Sequence, residues 1–275
     1  HCCAGRGLRL IESPVKVVAR RNNVTVLQPD DLQDPFFLRT LTGFGAEIGV
    51  VVAFRILPVE FIRVFPRGCI NLHPSLLPDL RGAAPVNWAL IRGYQRTGVT
   101  TFQIEERVDT GQILLQEAVE IMPDDDAGSL ARRLANRGAD LIVRTLDAVD
   151  SGEIEPRAQQ GRATHAPKIT RELCRIDWSK PALELHNLVR GLSPTPTAFT
   201  TLSGRVLKIY RTVVTDDPGT GEPGWVVGLR EDALIVRAGA GGLGLLEVQM
   251  EGRRRMSAVE FQRGRQLATG TKLGT

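Results

Sequence analysis

The chain has 275 residues, 42% of them apolar and 24% charged, a globular composition that excludes disordered and collagen-like chains and suits two domains of roughly 100–200 residues each. No stretch reaches the roughly 18 unbroken apolar residues of a membrane helix, no secretory apolar segment opens it, and Cys2, Cys3, Cys69 and Cys174 lack metal-site or disulfide spacing, so a reducing, cytoplasmic setting is expected. The net charge of +4 sits wholly in residues 175–275, with 14 basic against 10 acidic side chains, while residues 1–174 carry 21 of each; a polyanionic partner would be held mainly by the second part.

The chain opens on His1 rather than Met, so an upstream segment is expected to be missing or processed away. Residues 48–54 form a continuous apolar run, the pattern of a strand buried on both faces. Residues 68–73 make a second short strand. A turn-rich stretch punctuated by Pro74, Pro78, Gly82 and Pro85 follows, then a short helix over 86–92 and strands over 99–104 and 113–121. Across 127–149, Leu130, Leu134, Leu141, Ile142, Leu146 and Val149 recur at helical spacing; Asp124-Asp125-Asp126 supplies the N-cap and Gly152 the stop. Strands alternating with helices predict an α/β domain with a largely parallel sheet. Residues 156–180 read as a polar connector, 181–192 as a helix, and 198–202, 206–214, 224–229, 234–238 and 243–249 as short strands between turns, the spacing of a small β-barrel.

Asn71-Leu72-His73-Pro74 is the most informative stretch. Residues two apart on a strand share a face, so Asn71 and His73 project side by side, and Pro74 biases His73 towards extended backbone. An amide beside an imidazole suits acyl transfer: the amide binds a developing oxyanion and the imidazole moves protons near neutral pH. Val108-Asp109-Thr110-Gly111 places a carboxylate in a turn just before a strand; near His73 it would orient the ring and stabilise its protonated form. Singly, each piece is ordinary, since a His before Pro is commonly a loop residue and Asp-Thr-Gly commonly a turn. An aspartic-protease reading needs a second such carboxylate, and there is no second Asp-Thr-Gly. His165 and His186 lack comparable company and read as structural. The His and Cys residues show no metal-ligand spacing, so no metal is expected.

Together and in order, N-x-H-x-S-L-L-P from Asn71 to Pro78, R-G-A-A-P from Arg81 to Pro85 and D-T-G from Asp109 to Gly111, with His73 and Asp109 36 positions apart, resemble the folate-dependent formyltransferase family. The resemblance implies that Asn71, His73 and Asp109 are the catalytic trio. It assigns folate binding to Ser75, Leu76, Leu77 and Pro78, with 10-formyltetrahydrofolate as co-substrate. Three further stretches look like the methionyl-tRNA formyltransferases within that family: Thr164-His165-Ala166-Pro167-Lys168-Ile169 with Arg175-Ile176-Asp177-Trp178, then Leu192-Ser193-Pro194-Thr195-Pro196-Thr197-Ala198, and Glu251-Gly252-Arg253-Arg254-Arg255-Met256-Ser257-Ala258.

That likeness implies formylation of methionyl initiator tRNA by a monomer without membrane association. Residues 4–16 resemble a basic loop near the acceptor end, with Arg6 as an RNA contact, and Arg253, Arg254 and Arg255 would meet phosphates. The expected fold class is α/β. A Rossmann-like formyltransferase domain over 1–155, truncated by its opening strand and helix, would precede a connector over 156–180 and an OB-like tRNA-binding barrel over 181–275. A small-molecule amine or water as acceptor is the nearest alternative, and a non-catalytic RNA-binding scaffold the next. Arg55, where Gly is usual, and Asp79, where a polar or basic residue is common, depart from the family pattern.

Overall fold

The computed structural model describes residues 2–4, 9–53, 57–105, 107–216, 220–265 and 267–274, with only the backbone of 2–4 and 9–11. The chain divides into two compact units, His1–Gly49 with Arg55–Gly68, and Val50–Phe54 with Cys69–Thr275.

In the first unit, β1 (Cys2–Ala4) pairs antiparallel with β2 (Arg9–Ile11). Helix α1 (Pro14–Arg21) starts where Ser13 accepts from the Lys16 amide and Pro14 occupies the first turn. Helix α2 (Pro35–Thr42) starts the same way, with the Asp34 carboxylate accepting from the Phe36 amide at 2.9 Å. A capping oxygen followed by proline is a helix-start signal, because the orphan amide is satisfied and the ring needs no donor. Residues 4–16, expected as a loop, therefore contain β2 and the first turn of α1. A short α3 (Val59–Ile62) carries Phe61, which stacks on Phe37 with ring centroids 6.2 Å apart.

The second unit opens with a four-stranded sheet in the order β3 (Gly49–Val52, its first residue in the other unit), β4 (Cys69–His73), β5 (Arg96–Gln103), β6 (Ile113–Glu120). The α/β class holds, but the largely parallel arrangement does not: β4 runs antiparallel to β5, and β5 to β6. Helix α4 (Pro85–Ile91) lies between β4 and β5 in sequence, yet the chain returns beside β4 without the crossover that parallel pairing requires. Nor is β3 buried on both faces, since Val50 and Val52, which share a face, are 43% and 54% exposed.

The 25-residue α5 (Ala127–Ser151) begins at a capping box between Asp126 and Ser129 and stops at Gly152, in the left-handed region at φ 72°. Its Leu130, Leu134 and Leu141 are fully buried in a core shared with Leu80, Leu90 and Val99. Gly138 lets Leu72 of β4 press against this helix, where a Cβ would lie 2.6 Å from the leucine methyl. With Leu72 committed to α5, strand alternation turns Asn71 and His73 the other way.

Beyond the connector come α6 (Ala182–Leu192), β7 (Ala198–Leu202), β8 (Arg205–Thr215), β9 (Val226–Arg230), β10 (Ala233–Arg237), β11 (Gly242–Met250), β12 (Met256–Ser257) and α7 (Ala258–Gly264). The strands form one sheet in the order β7-β8-β11-β10-β9, antiparallel throughout, with β12 on β11. Leu185, Leu192, Leu207, Ile209, Leu234, Leu243 and Leu245 are the centre of its core. Helix α6 meets α4 closely because Gly191 has no side chain: a Cβ there would sit 2.6 Å from Ile91. Asn87 of α4 donates to the Gly191 carbonyl at 2.7 Å. The connector is stitched back along the first sheet, with Arg157 and Ile113 exchanging two backbone hydrogen bonds at 2.7 and 2.8 Å.

Candidate active site

Strand β4 ends at His73, and the loop after it folds back beneath the ring. Ser75 Oγ donates to the Asp79 carbonyl at 2.5 Å, and Thr100 Oγ1 donates to the Ser75 carbonyl at 2.6 Å. Thr100 also accepts from the Leu77 amide at 3.2 Å. The loop thereby delivers the Leu80 carbonyl to His73 Nε2 at 3.0 Å.

A carbonyl can only accept, so Nε2 carries the proton and Nδ1 is the nitrogen left to titrate. Nδ1 lies 3.8 Å from Asp109 Oδ2, too far for a direct hydrogen bond but a span that one water or one amine nitrogen can bridge. Asp109 Oδ2 accepts from the Gly82 amide at 2.8 Å. His73 is 5% exposed and Asp109 8%. Burial holds the His73 pKa below the ordinary histidine value, and the nearby Asp109 carboxylate and Leu80 carbonyl oppose it without overcoming it. The sequence pointed to a protonated ring; the folded environment instead favours the neutral imidazole as the resting form.

Asn71 sits two residues before His73 on the same face of β4 and is half-buried. Its side-chain amide finds no hydrogen-bond partner among the described residues. It is therefore free to donate to an incoming oxygen.

Backbone conformation is demanding at this point. Leu80 and Asp109 both sit in the left-handed region, at φ 59° and 55°. Non-glycine residues there cost about 1–3 kcal/mol and persist only where the surroundings hold them. The glycines of the two motifs answer to close approach: a Cβ on Gly82 would lie 2.8 Å from the Ala166 carbonyl oxygen, and one on Gly111 only 1.6 Å from that of Gln103.

The Ser75–Pro78 loop is adjacent but largely self-satisfied. Ser75 is fully buried, and Leu77 is buried in a small cluster with Phe102 and Ile113. The Leu77 carbonyl already accepts from Gln116 at 2.9 Å. Leu76 and Pro78 are the members of this loop with partly accessible side chains. Thr164, part of the Thr164–Ile169 stretch but given no role there, joins Gln159, Thr100 and the Leu80 backbone in completing the framework: Thr164 Oγ1 accepts from the Leu80 amide at 2.8 Å. Sequence gives these contacts no signal, because the bonds of Thr100 to Leu77 and of Thr164 to Leu80 span 23 and 84 positions.

Arg6 and Arg55 lie outside the described residues. Arg254 pairs with Glu260 at 3.0 Å, and Arg255 makes two 2.5 Å bonds to Glu247 while covering the Tyr210 ring at 4.2 Å. Only the Arg253 side chain of the three is without a partner among the described residues. His186 Nδ1 meets Thr212 Oγ1 at 3.0 Å, and the His165 carbonyl accepts from Arg92 at 2.6 Å. Among the described residues no three His, Cys, Asp or Glu side chains converge as metal ligands, and no helix is long and apolar enough to cross a membrane.

An amide donor, a buried imidazole and a carboxylate on an α/β scaffold are groups that can serve acyl transfer, and comparison with known proteins gives the family. The formyl transferase family model matches residues 1–146, and the formyl transferase C-terminal domain model matches residues 168–266. The methionyl-tRNA formyltransferase of Syntrophus aciditrophicus is 44% identical over 272 residues, covering 98% of this chain and 87% of that protein. That of Caldanaerobacter subterraneus subsp. tengcongensis is 43% identical, covering 98% and 88%. The fold resembles the crystal structure of HypX from Aquifex aeolicus in complex with tetrahydrofolic acid, at TM-score 0.63 and 19% identity over 82% of this chain and 40% of that one. It also resembles methionyl-tRNA formyltransferase from Clostridium thermocellum, at TM-score 0.55 and 18% identity over 74% and 88%. The chain belongs to the formyl transferase family and, within it, to the methionyl-tRNA formyltransferases.

Proposed function

We propose that the protein transfers the formyl group of 10-formyltetrahydrofolate to the amino group of methionine esterified to initiator tRNA. The observation that carries this reading is the unpartnered Asn71 amide beside the His73–Asp109 pair, in a chain 40–44% identical to methionyl-tRNA formyltransferases over both matched stretches. The methionyl amine attacks the formyl carbon. The Asn71 amide donates to the oxygen that gains charge, the task of an oxyanion donor. The amine proton passes to the Nδ1 lone pair of neutral His73, and the Asp109 carboxylate, 3.8 Å away, stabilises the imidazolium so formed. The C–N bond to the folate then breaks, and Nδ1 returns the proton to the folate nitrogen.

The folate lies against the loop containing Ser75, Leu76, Leu77 and Pro78, with Leu76 and Pro78 offering side chains and the two buried members shaping the loop. Residues 1–155 form the catalytic domain, 156–180 the connector and 181–275 the tRNA-binding domain, whose surplus of positive charge meets phosphates. Arg253, whose side chain has no partner among the described residues, meets a phosphate, and Arg6 contacts RNA near the acceptor end. The chain acts as a monomer in the cytoplasm.

Incubation with 10-formyltetrahydrofolate and either methionyl-tRNA or no acceptor tests the proposal. Formyl-methionyl-tRNA should accumulate in step with folate turnover. Folate hydrolysis at a rate indifferent to tRNA would instead identify water as the acceptor.

A further inference from the structure

We propose that Gln159, in the stretch between the two family matches, is a positioning residue that locks the His73–Asp109 geometry from outside the catalytic sheet. This rests on the reading of Asn71, His73 and Asp109 as the reacting groups. Two loops hold that geometry. Residues 80–82 supply the carbonyl on His73 and the amide on Asp109. Residues 109–111 carry the carboxylate itself, on a backbone that Asp109 holds at φ 55°.

Besides the Asp109 carboxylate on the Gly82 amide, one side chain from outside both loops bridges them. Gln159 Nε2 donates to the carbonyls of Asp109 and Gly111, both at 2.9 Å, clamping the turn on either side of Thr110. Its Oε1 accepts from Arg81 Nε at 3.2 Å and Nη2 at 2.6 Å. Arg81 stands between Leu80 and Gly82, and its own backbone is bonded to Thr164 and Ala166 of the same connector. All four hydrogen-bonding positions of the glutamine amide are thus in use. The orientation is unambiguous, because the guanidinium can only donate and the carbonyls can only accept.

The arrangement explains how two strained residues persist. Leu80 and Asp109, both left-handed, are each held by connector side chains, Thr164 for the first and Gln159 for the second. Gln159 touches no reacting atom. It acts by fixing where the carboxylate sits relative to Nδ1, so its loss should misplace Asp109 while the fold stays intact.

The test compares Gln159→Leu, which removes all four bonds at similar volume, with Gln159→Glu, which keeps the Arg81 pairing but loses both donations to the turn. The Glu variant carries the test if the Leu variant does not fold. For each, kcat and KM for both substrates, thermal stability and the pH titration of His73 by NMR would be measured. His73 is one of only four histidines, so its signals are readily assigned by substitution. We expect kcat to fall about 10–100-fold, the scale of a reacting group displaced by up to about 1 Å. KM should stay within about threefold, and the His73 titration should move from its parent position. A kcat within about twofold of the parent in a folded variant, or a His73 titration superimposed on that of the parent, overturns the proposal. Asn71→Ala serves as control: if it too leaves the rate intact, the trio itself is misassigned, whereas its loss beside an unaffected Gln159 variant sinks the positioning role alone.

Discussion

Asp109→Asn isolates the charge from the shape of the site. An asparagine oxygen can still accept from the Gly82 amide, as Asp109 Oδ2 does at 2.8 Å, so the turn should keep its course. What disappears is the negative charge 3.8 Å from Nδ1. With an effective dielectric of about 20, two unit charges at that separation attract by roughly 4 kcal/mol. The attraction acts only once the imidazole has taken the proton. It therefore stabilises the reaction's intermediate rather than the resting enzyme, and at about 1.4 kcal/mol per tenfold in rate it amounts to at most about 1,000-fold.

We expect kcat to fall about 100–1,000-fold in steady-state formylation, with KM for methionyl-tRNA within about threefold. The pH profile gives an independent reading. The reacting form is the neutral ring, so kcat/KM rises with pH through the His73 pKa. Asp109 pulls that pKa up against burial. Without the charge it drops further, and the rising limb should move to lower pH. A limb moving to higher pH, or a rate within about threefold of the parent, would refute an electrostatic role for this carboxylate.

Asn71→Ala should lower kcat by about 100–1,000-fold, as for other lost oxyanion donors; a near-parental rate would remove Asn71 from the mechanism. Gly111→Ala places a methyl 1.6 Å from a backbone oxygen of β5 that cannot yield cheaply, so denaturant titration should show a loss of more than about 2 kcal/mol, and unchanged stability would contradict the described turn. Arg253→Ala should weaken tRNA binding about equally across tRNA sequences and reduce the magnitude of the salt slope of log Kd by about 1. An unchanged slope would place the phosphate contact elsewhere.

Much of the framework could be read from local order. The periodic leucines of α5 with Asp126 before them and Gly152 after, the limits of β7 and the adjacent projection of Asn71 and His73 all follow from spacing and capping, which act within a few residues. The motifs that carry Asn71, His73 and Asp109 likewise occur in a recognisable order, and the fold brings His73 and Asp109 within 3.8 Å. The helices opening at Ser13-Pro14 and Asp34-Pro35 carried the same kind of local signal, although their few buried side chains left the apolar periodicity weak.

Strand direction was a different matter. A helix between two strands is compatible with either pairing, and only the return of β5 alongside β4 makes it antiparallel. The protonation state of His73 likewise came from the fold, since Asp109 alone argues for a charged ring and burial, a property of the whole packed sheet, argues harder against it. Arginines 253–255 look alike in the chain, but Glu247, Glu260 and Tyr210 occupy two of them and leave one. Sequence thus determined which groups were present and which faces they shared. Tertiary structure decided what charge they carry and what holds them, because hydrogen bonds and desolvation depend on distances that sequence separation does not record.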